Sequence, residues 1–122
     1  MKTPKQITGN IGEDLAKRFL ISKGFQIVCQ NYRYGRNEID LVCLDDDFLV
    51  FVEVKTRKNN DFGYPEEFVT LSKQRAIARV AKAFLQKNPS QAKIRFDIVA
   101  ITKTSPKWSI HYVPDAFYPS AL

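Results

Sequence analysis

Two apolar runs carry charged side chains where an isolated charge would be costly. Ile39–Leu44 and Phe48–Val54 are typical of strands that are apolar on both faces, yet Asp40 lies in the first run and Glu53 in the second. Ionised groups on central strands are unfavourable unless they are paired or bind a metal. Lys55 follows Glu53 by two residues and therefore shares its sheet face. These side chains predict an ion-binding site.

The turn between the runs decides whether the carboxylates meet. Asp45–Asp47 supply turn-forming side chains. A two- or four-residue turn centred between Asp46 and Asp47 would place Asp40 directly opposite Glu53 on the neighbouring strand. Opposed side chains have Cβ atoms about 5 Å apart, where two carboxylates repel by roughly 3 kcal/mol at an effective dielectric of about 20. Lys55 offsets part of this repulsion, and a divalent cation would offset the rest. A three-residue turn would separate the carboxylates, so the prediction depends on this register.

Length and charge indicate the class of protein. The 122 residues, 44% hydrophobic and 26% charged, predict a single domain spanning residues 1–122. The formal net charge of +6 favours a polyanionic partner. A basic protein with carboxylates on its central hairpin has the polarity expected of a metal-dependent enzyme that acts on phosphates.

No targeting or metal-binding cysteine pattern is visible. The start of the chain has no apolar signal region, and the longest apolar run, Phe48–Val52, is far shorter than the roughly 20 residues of a membrane span. We therefore expect a soluble cytoplasmic protein with no membrane partner. Cys29 and Cys43 lack metal-ligand spacing, and we expect both to be reduced and largely buried.

Periodicity predicts two helices and five strands. The first helix is expected to follow Asn10 as N-cap and to end before Gly24 at C′. The second is stopped by Asn88-Pro89. The predicted order is helix Ile11–Lys23, strand Phe25–Tyr34, the hairpin described above, helix Ser72–Lys87, and strands Ile94–Thr102 and Trp108–Val113.

Two acidic residues outside the hairpin need an interpretation. Glu13 is the third residue of the predicted first helix, so it either forms a capping box with Asn10 or is a further carboxylate beside the hairpin site. Asp97 shares a strand face with Arg95, and we interpret these two as a structural ion pair.

Basic residues that could contact nucleic acid fall into three groups. Arg75, Arg79 and Lys82 share the side of the second helix opposite its apolar stripe, which is either a solvated face or a phosphate-binding ridge. Lys73 falls on the apolar side and is placed to reach the carboxylates. The others flank the hairpin: Arg36 in the turn before it, and Arg57 and Lys58 after it, where Phe62 and Tyr64 belong to either a nucleic-acid-binding or a merely solvated loop.

Four motifs together resemble a known family. They are Gly-Asn-Ile-Gly-Glu13-Asp-Leu-Ala, Glu38-Ile-Asp40-Leu-Val, Val-Phe-Val-Glu53-Val-Lys55-Thr-Arg57 and Arg95-Phe-Asp97-Ile-Val-Ala-Ile. Their order and spacing resemble the PD-(D/E)xK nuclease superfamily and, within it, the YraN-type family. That family is described as predicted endonucleases distantly similar to archaeal Holliday-junction resolvases. The resemblance covers about residues 9–102.

The resemblance implies a fold, a cofactor and a reaction. The fold would be an α/β restriction-endonuclease-like core of order α-β-β-β-α-β with an added C-terminal strand, its mixed central sheet flanked by helices. Asp40, Glu53 and the Val54 carbonyl would hold Mg²⁺ or Mn²⁺, with Glu13 as a further ligand or a water-mediated contact, and Lys55 would position and activate the attacking water. The substrate would be DNA, including branched DNA, whose symmetric cutting requires a two-fold homodimer.

Two other functions compete with the endonuclease. The first is a nucleic-acid-binding module that keeps the fold without cleaving its ligand. The second is an interaction protein in which Glu53 and Lys55 form only an ion pair within the sheet.

Overall fold

The chain forms a mixed α/β structure with one sheet between two helices. The computed structural model describes residues 1–58 and 69–119, so the predictions for Phe62 and Tyr64 lie outside the described residues. The elements are α1 (Pro4–Ser22), β1 (Gln26–Tyr34), β2 (Asn37–Asp45), β3 (Phe48–Lys58), α2 (Leu71–Lys87), β4 (Lys93–Thr104) and β5 (Lys107–Phe117). This order agrees with the predicted one.

The five described strands lie in sequence order, β1-β2-β3-β4-β5. β1, β2 and β3 pair antiparallel, β3 and β4 pair parallel, and β4 and β5 pair antiparallel. Parallel neighbours need a crossover connection, and here that connection contains α2. β3 is therefore the central strand, which explains why its sequence is apolar on both faces.

The predicted hairpin register is confirmed. β2 and β3 pair from Asp45↔Phe48 to Leu41↔Val52, as a two-residue turn requires. Asp46 makes this turn possible because its φ of +51° lies in the left-handed region that Asp tolerates better than most residues.

Each face of the sheet is covered by one helix. Ala16 and Leu20 of α1 pack with Leu41 and Val50, while Val80 and Phe84 of α2 pack on the other face in a cluster with Phe51 and Phe96. Consecutive strand residues thus enter opposite clusters, as the pleat requires.

α1 begins earlier than predicted, and the assignment of Asn10 as N-cap is wrong. Thr3 is the N-cap and forms a capping box with Gln6, followed by Pro4 in the first turn. This capping supports two further turns, although Gly9 has low helix propensity. Ile11, predicted to be buried, is 43% exposed. The helix ends as predicted, with Gly24 following at φ +96°.

α2 agrees closely with its prediction. Thr70 caps its start, its apolar stripe is buried, and Arg75, Arg79 and Lys82 are exposed. No described helix is long and apolar enough to cross a membrane.

Arg95 and Asp97 form the predicted structural pair. Asp97 is fully buried and accepts hydrogen bonds from Arg95, the Tyr112 hydroxyl and the Asp115 N–H. Both cysteines are free: Cys43 is buried as predicted, whereas Cys29 is only partly buried.

Candidate active site

The sheet divides at the two carboxylates that the sequence singles out. The β2–β3 ladder ends at Leu41↔Val52. Beyond this point β2 stays paired with β1 as far as Asn37, and β3 stays paired with β4 as far as Lys58. We call the opening between the two strands the fork. Asp40 and Glu53 are the first residues on either side of it.

Asp40 replaces part of the missing ladder. Its Oδ2 accepts a hydrogen bond of 2.7 Å from the Val54 N–H, and the residue is only 8% exposed. Because the N–H and C=O of one strand residue point to the same side, the Val54 carbonyl also faces the fork. A buried carboxylate and a backbone carbonyl therefore lie next to each other.

Asp40 and Glu53 are in contact, as the predicted register requires. Burial is the largest reason why the pKa of Asp40 is raised, to about 9, and the hydrogen bond and negative charge of Glu53 raise this pKa further. The Val54 N–H lowers it, and the charge of Glu13 adds a smaller increase. Without a cation, burial and the neighbouring Glu53 carboxylate therefore both favour the protonated form of Asp40.

One carboxylate oxygen of Glu53 has no hydrogen-bond partner among the described residues. Its side chain is 13% exposed, and Lys73 Nζ lies 3.4 Å from Oε2, as predicted for Lys73. This enclosed oxygen nevertheless accepts no hydrogen bond from the part of the chain that the structure describes. A buried carboxylate oxygen without a hydrogen bond is unusual, and it has lone pairs available for a ligand.

Glu13 lies in the interior of α1, so its interpretation as part of a capping box is wrong. Its Oε1 accepts a 3.0 Å hydrogen bond from Asn31 Nδ2. Asn31 lies opposite Asp40 on the neighbouring strand, because the residues on either side of them are paired in the β1–β2 ladder. The φ of Asn31 is +51°. Asn31 was not among the predicted site residues; its one sequence signal is that Asn tolerates this backbone conformation.

A glycine brings Glu13 close to the sheet. Gly12 is buried, and a Cβ at this position would overlap Thr56 Oγ1 of β3. Only glycine lets α1 approach the strand so closely without displacing it. The Gly-Glu pair of the first motif therefore has a geometric role, because the glycine positions the carboxylate beside the fork.

The residues after Glu53 lead into a cleft. Lys55 is exposed, and it lines a cleft of about 790 Å³ together with Arg57, Lys58 and Glu13. Arg57 Nε also donates to Thr102 Oγ1 on β4 at 3.1 Å, so its guanidinium is held along the sheet.

The remaining predicted nucleic-acid-binding residues lie outside the fork. Arg36 is exposed in the β1–β2 turn, at the same end of the sheet as Lys58 because β2 and β3 are antiparallel. α2 begins near Glu53 and runs away from it, so Arg75, Arg79 and Lys82 form an exposed ridge beside the site rather than part of it.

The donor set fits a small divalent cation. Among residues 1–58 and 69–119, no group of three or more His, Cys, Asp and Glu side chains is close enough to hold a metal ion, so Glu13 does not form a group with the two fork carboxylates. Mg²⁺, however, commonly uses only one or two carboxylates and keeps several waters. Asp40, Glu53 and the Val54 carbonyl meet that requirement.

Comparison with known proteins identifies relatives along most of the chain. The profile described as "Uncharacterised protein family UPF0102" matches residues 12–101. A UPF0102 protein of Chloroherpeton thalassium is 46% identical, with 89% of this chain and 92% of the relative covered. Those of Prosthecochloris aestuarii and Dictyoglomus turgidum are 44% and 42% identical, covering 90% and 89% of this chain and 92% and 95% of the relatives. The chain therefore belongs to the UPF0102 family, the YraN-type family that its motifs predicted.

Proposed function

We propose that this protein is a metal-dependent endonuclease that hydrolyses DNA phosphodiesters at the fork. The observation that carries the proposal is the buried contact between Asp40 and Glu53, in which one Glu53 oxygen accepts no hydrogen bond from the described residues. Such a pair is costly in a metal-free protein and becomes favourable when a divalent cation binds. The proposed fold relationship is to the restriction-endonuclease-like core of the PD-(D/E)xK superfamily.

Each residue has a separate task in this proposal. Asp40, Glu53 and the Val54 carbonyl would hold Mg²⁺ or Mn²⁺, and Glu13 would contribute a water-mediated contact. The cation would supply Lewis-acid stabilisation of the charge that develops on the phosphate. Lys55 shares the face of Glu53 and is placed to position and activate the attacking water.

The charge around the fork suits a phosphate backbone. Arg36, Arg57 and Lys58 lie at the same end of the sheet, and the α2 ridge extends from that end. Cationic side chains at phosphates supply affinity without sequence preference. Substrate choice would then depend on DNA structure, which is consistent with branched DNA; a symmetric double cut would additionally need a two-fold dimer.

The test is a cleavage screen over single-stranded, duplex, flap and four-way DNA with Mg²⁺ or Mn²⁺. Glu53→Gln and Lys55→Ala should each lower the cleavage rate at least about 100-fold, because loss of a positioned electrostatic group typically costs this much in turnover. The matched control is Glu38→Gln, which removes a carboxylate that pairs with Arg33 nearby and should leave the rate unchanged. A Glu53→Gln protein with the full metal-dependent rate would show that the catalytic centre is elsewhere.

A non-cleaving nucleic-acid-binding module is the second candidate. The contact between Lys73 and Glu53 favours it, because an ammonium can partly neutralise the carboxylate in place of a metal. In chelator, Glu53→Gln would then keep or raise DNA affinity and Lys55→Ala would lower it modestly. The wild-type protein would show no cleavage with either metal.

A further inference from the structure

α1 and β3 touch at Gly12 and separate one turn earlier. A Cβ at Gly12 would overlap Thr56, whereas a Cβ at Gly9 would meet nothing within 4 Å. Lys5, Gly9 and Glu13 are four residues apart and therefore follow one stripe of the helix. Ala16 and Leu20 continue that stripe as buried core. Its first half thus faces an opening instead of the sheet.

This opening is the cleft of about 790 Å³ that ends at Glu13, and we call it the α1–β3 cleft. One wall is formed by Thr3, Pro4, Lys5, Thr8 and Gly9, and the other by Val54–Lys58. Among its described lining residues four are cationic (Lys5, Lys55, Arg57 and Lys58), and Glu13 is the only acidic residue among them. The described lining of the cleft therefore carries a net positive charge, which favours an anionic ligand.

The size of the cleft limits what can enter. Clefts of roughly 300–1,000 Å³ enclose ligands of drug size, which is the scale of a few nucleotides and far below that of a duplex. Nonspecific single-strand sites are grooves whose cations follow the phosphate backbone. Val54 lines the cleft and also donates to Asp40, so a strand in the cleft would reach the fork.

We infer that the α1–β3 cleft binds a separated DNA strand and leads its backbone to the fork, with Lys5 as a phosphate contact. This inference rests on the proposed function and specifies its substrate class. A flap, a junction arm or another structure with an unpaired strand would be preferred over a blunt duplex. Gly9 has a role in this arrangement because a larger side chain would occupy the path of the strand.

The first test blocks the cleft without changing charge. Gly9→Phe should lower the affinity for a single-stranded oligonucleotide at least about tenfold, and that for a hairpin duplex about twofold or less. Fluorescence anisotropy in chelator measures both affinities without cleavage. Gly9→Ala is the size control and should bind both ligands like wild type. Equal single-strand affinity of Gly9→Phe and Gly9→Ala would overturn the inference.

The second test depends on charge and stays informative if Gly9→Phe fails to fold. Lys5→Ala should reduce the slope of log affinity against log salt by about 0.7 on single strands and leave the duplex slope unchanged. Lys2→Ala is the matched control, because Lys2 lies near the same helix end but in a separate hollow beside Ile7 and Asn10. Identical single-strand slopes for Lys5→Ala and wild type would overturn the assignment of Lys5.

Failure of the inference and failure of the proposed function give different results. If wild type cleaves DNA and Gly9→Phe cleaves a flap substrate as fast as wild type does, the function holds and the cleft inference is wrong. If Gly9→Phe loses single-strand affinity and Lys5→Ala lowers the single-strand salt slope but wild type cleaves nothing, the cleft inference holds and the nuclease proposal is wrong.

Discussion

At the scale of single residues, the molecule keeps two carboxylates together at an energetic cost. Asp40 stays protonated well above its usual range because it is buried and lies against Glu53. Natural proteins retain such unfavourable pairs mainly at functional sites. The cost gives the site two properties that can be measured without knowing the substrate: a pH-dependent penalty in stability and an affinity for divalent cations.

The pH-dependent penalty predicts that Asp40→Asn stabilises the metal-free protein. The folded pKa of Asp40 is raised from 3.8 to about 9, so the folded state holds a proton that the unfolded state releases above about pH 4. Stability is therefore lost as pH rises from about 4 toward 9. Asn carries no charge and still accepts from the Val54 N–H. We expect a gain of roughly 1–3 kcal/mol at pH 8 and a smaller gain at pH 5.

Thermal unfolding in chelator at pH 5 and pH 8 measures this difference. Every other titrating group is common to the two proteins, so the change between the two pH values reports the coupled titration of Asp40 and Glu53. The same stability difference at both pH values would show that Asp40 is ionised in the fold.

The second property predicts a single divalent-cation site. Wild type should bind Mn²⁺ in calorimetry and gain thermal stability with it, since a ligand that binds only the folded state stabilises that state. The Asp40→Asn, Glu53→Gln double variant should do neither. Glu38→Gln is the control. Equal Mn²⁺ binding by wild type and the double variant would rule out the fork as the metal site.

At the scale of elements, α1 determines the geometry around the fork. Its contact at Gly12 holds Glu13 toward Asn31 on β1, and its divergence at Gly9 opens the cleft. Both effects arise on one helical stripe within two turns. A short segment of α1 therefore determines both where the helix contacts the sheet and where it separates from the sheet.

The contact at Gly12 predicts opposite effects for two similar substitutions. Gly12→Ala should destabilise the protein by about 1–3 kcal/mol, because the added methyl group overlaps Thr56. Gly9→Ala has free space and should stabilise it by roughly 0.5–1 kcal/mol, because alanine favours helix. Urea unfolding of both variants tests this. Adding Thr56→Ala should recover part of the Gly12→Ala loss but leave Gly9→Ala unaffected; destabilisation of equal size at both glycines would contradict the geometry.

For the molecule as a whole, the arrangement of cationic side chains around the fork is important. The start of α1, the end of β3 and the start of α2 all lie at the fork end of the sheet, so their cations surround a small negative centre. Cations around a small negative centre steer a polyanion toward the carboxylates.

The ridge on α2 predicts salt-dependent duplex binding. Replacing Arg75, Arg79 and Lys82 by Ala should lower the slope of log affinity against log salt by roughly 2–3 units on duplex DNA, since each phosphate contact contributes about 0.9. The control replaces Lys23, Lys87 and Lys93, which are exposed and carry the same total charge. Equal slopes for both triple variants would mean that the ridge is an ordinary solvated face.

The features of this protein that depend on local sequence pattern could be predicted from the sequence alone. The order of elements, the hairpin register, the Arg95–Asp97 pair and the reach of Lys73 toward Glu53 follow from periodicity, turn chemistry and helical projection. The start of α1 could also have been predicted, because Thr3 and Gln6 have capping-box spacing; the prediction failed because it assigned Asn10 as the N-cap.

The point at which β2 and β3 stop pairing could not be predicted from local sequence and is seen only in the tertiary structure. That point depends on competition with β1 and β4 for the same strands, which no local pattern records. The fork, the hydrogen bond from Asn31 to Glu13 and the α1–β3 cleft all depend on this choice. They join residues far apart in the chain, and their geometry is set by how α1 packs on the sheet at Gly12.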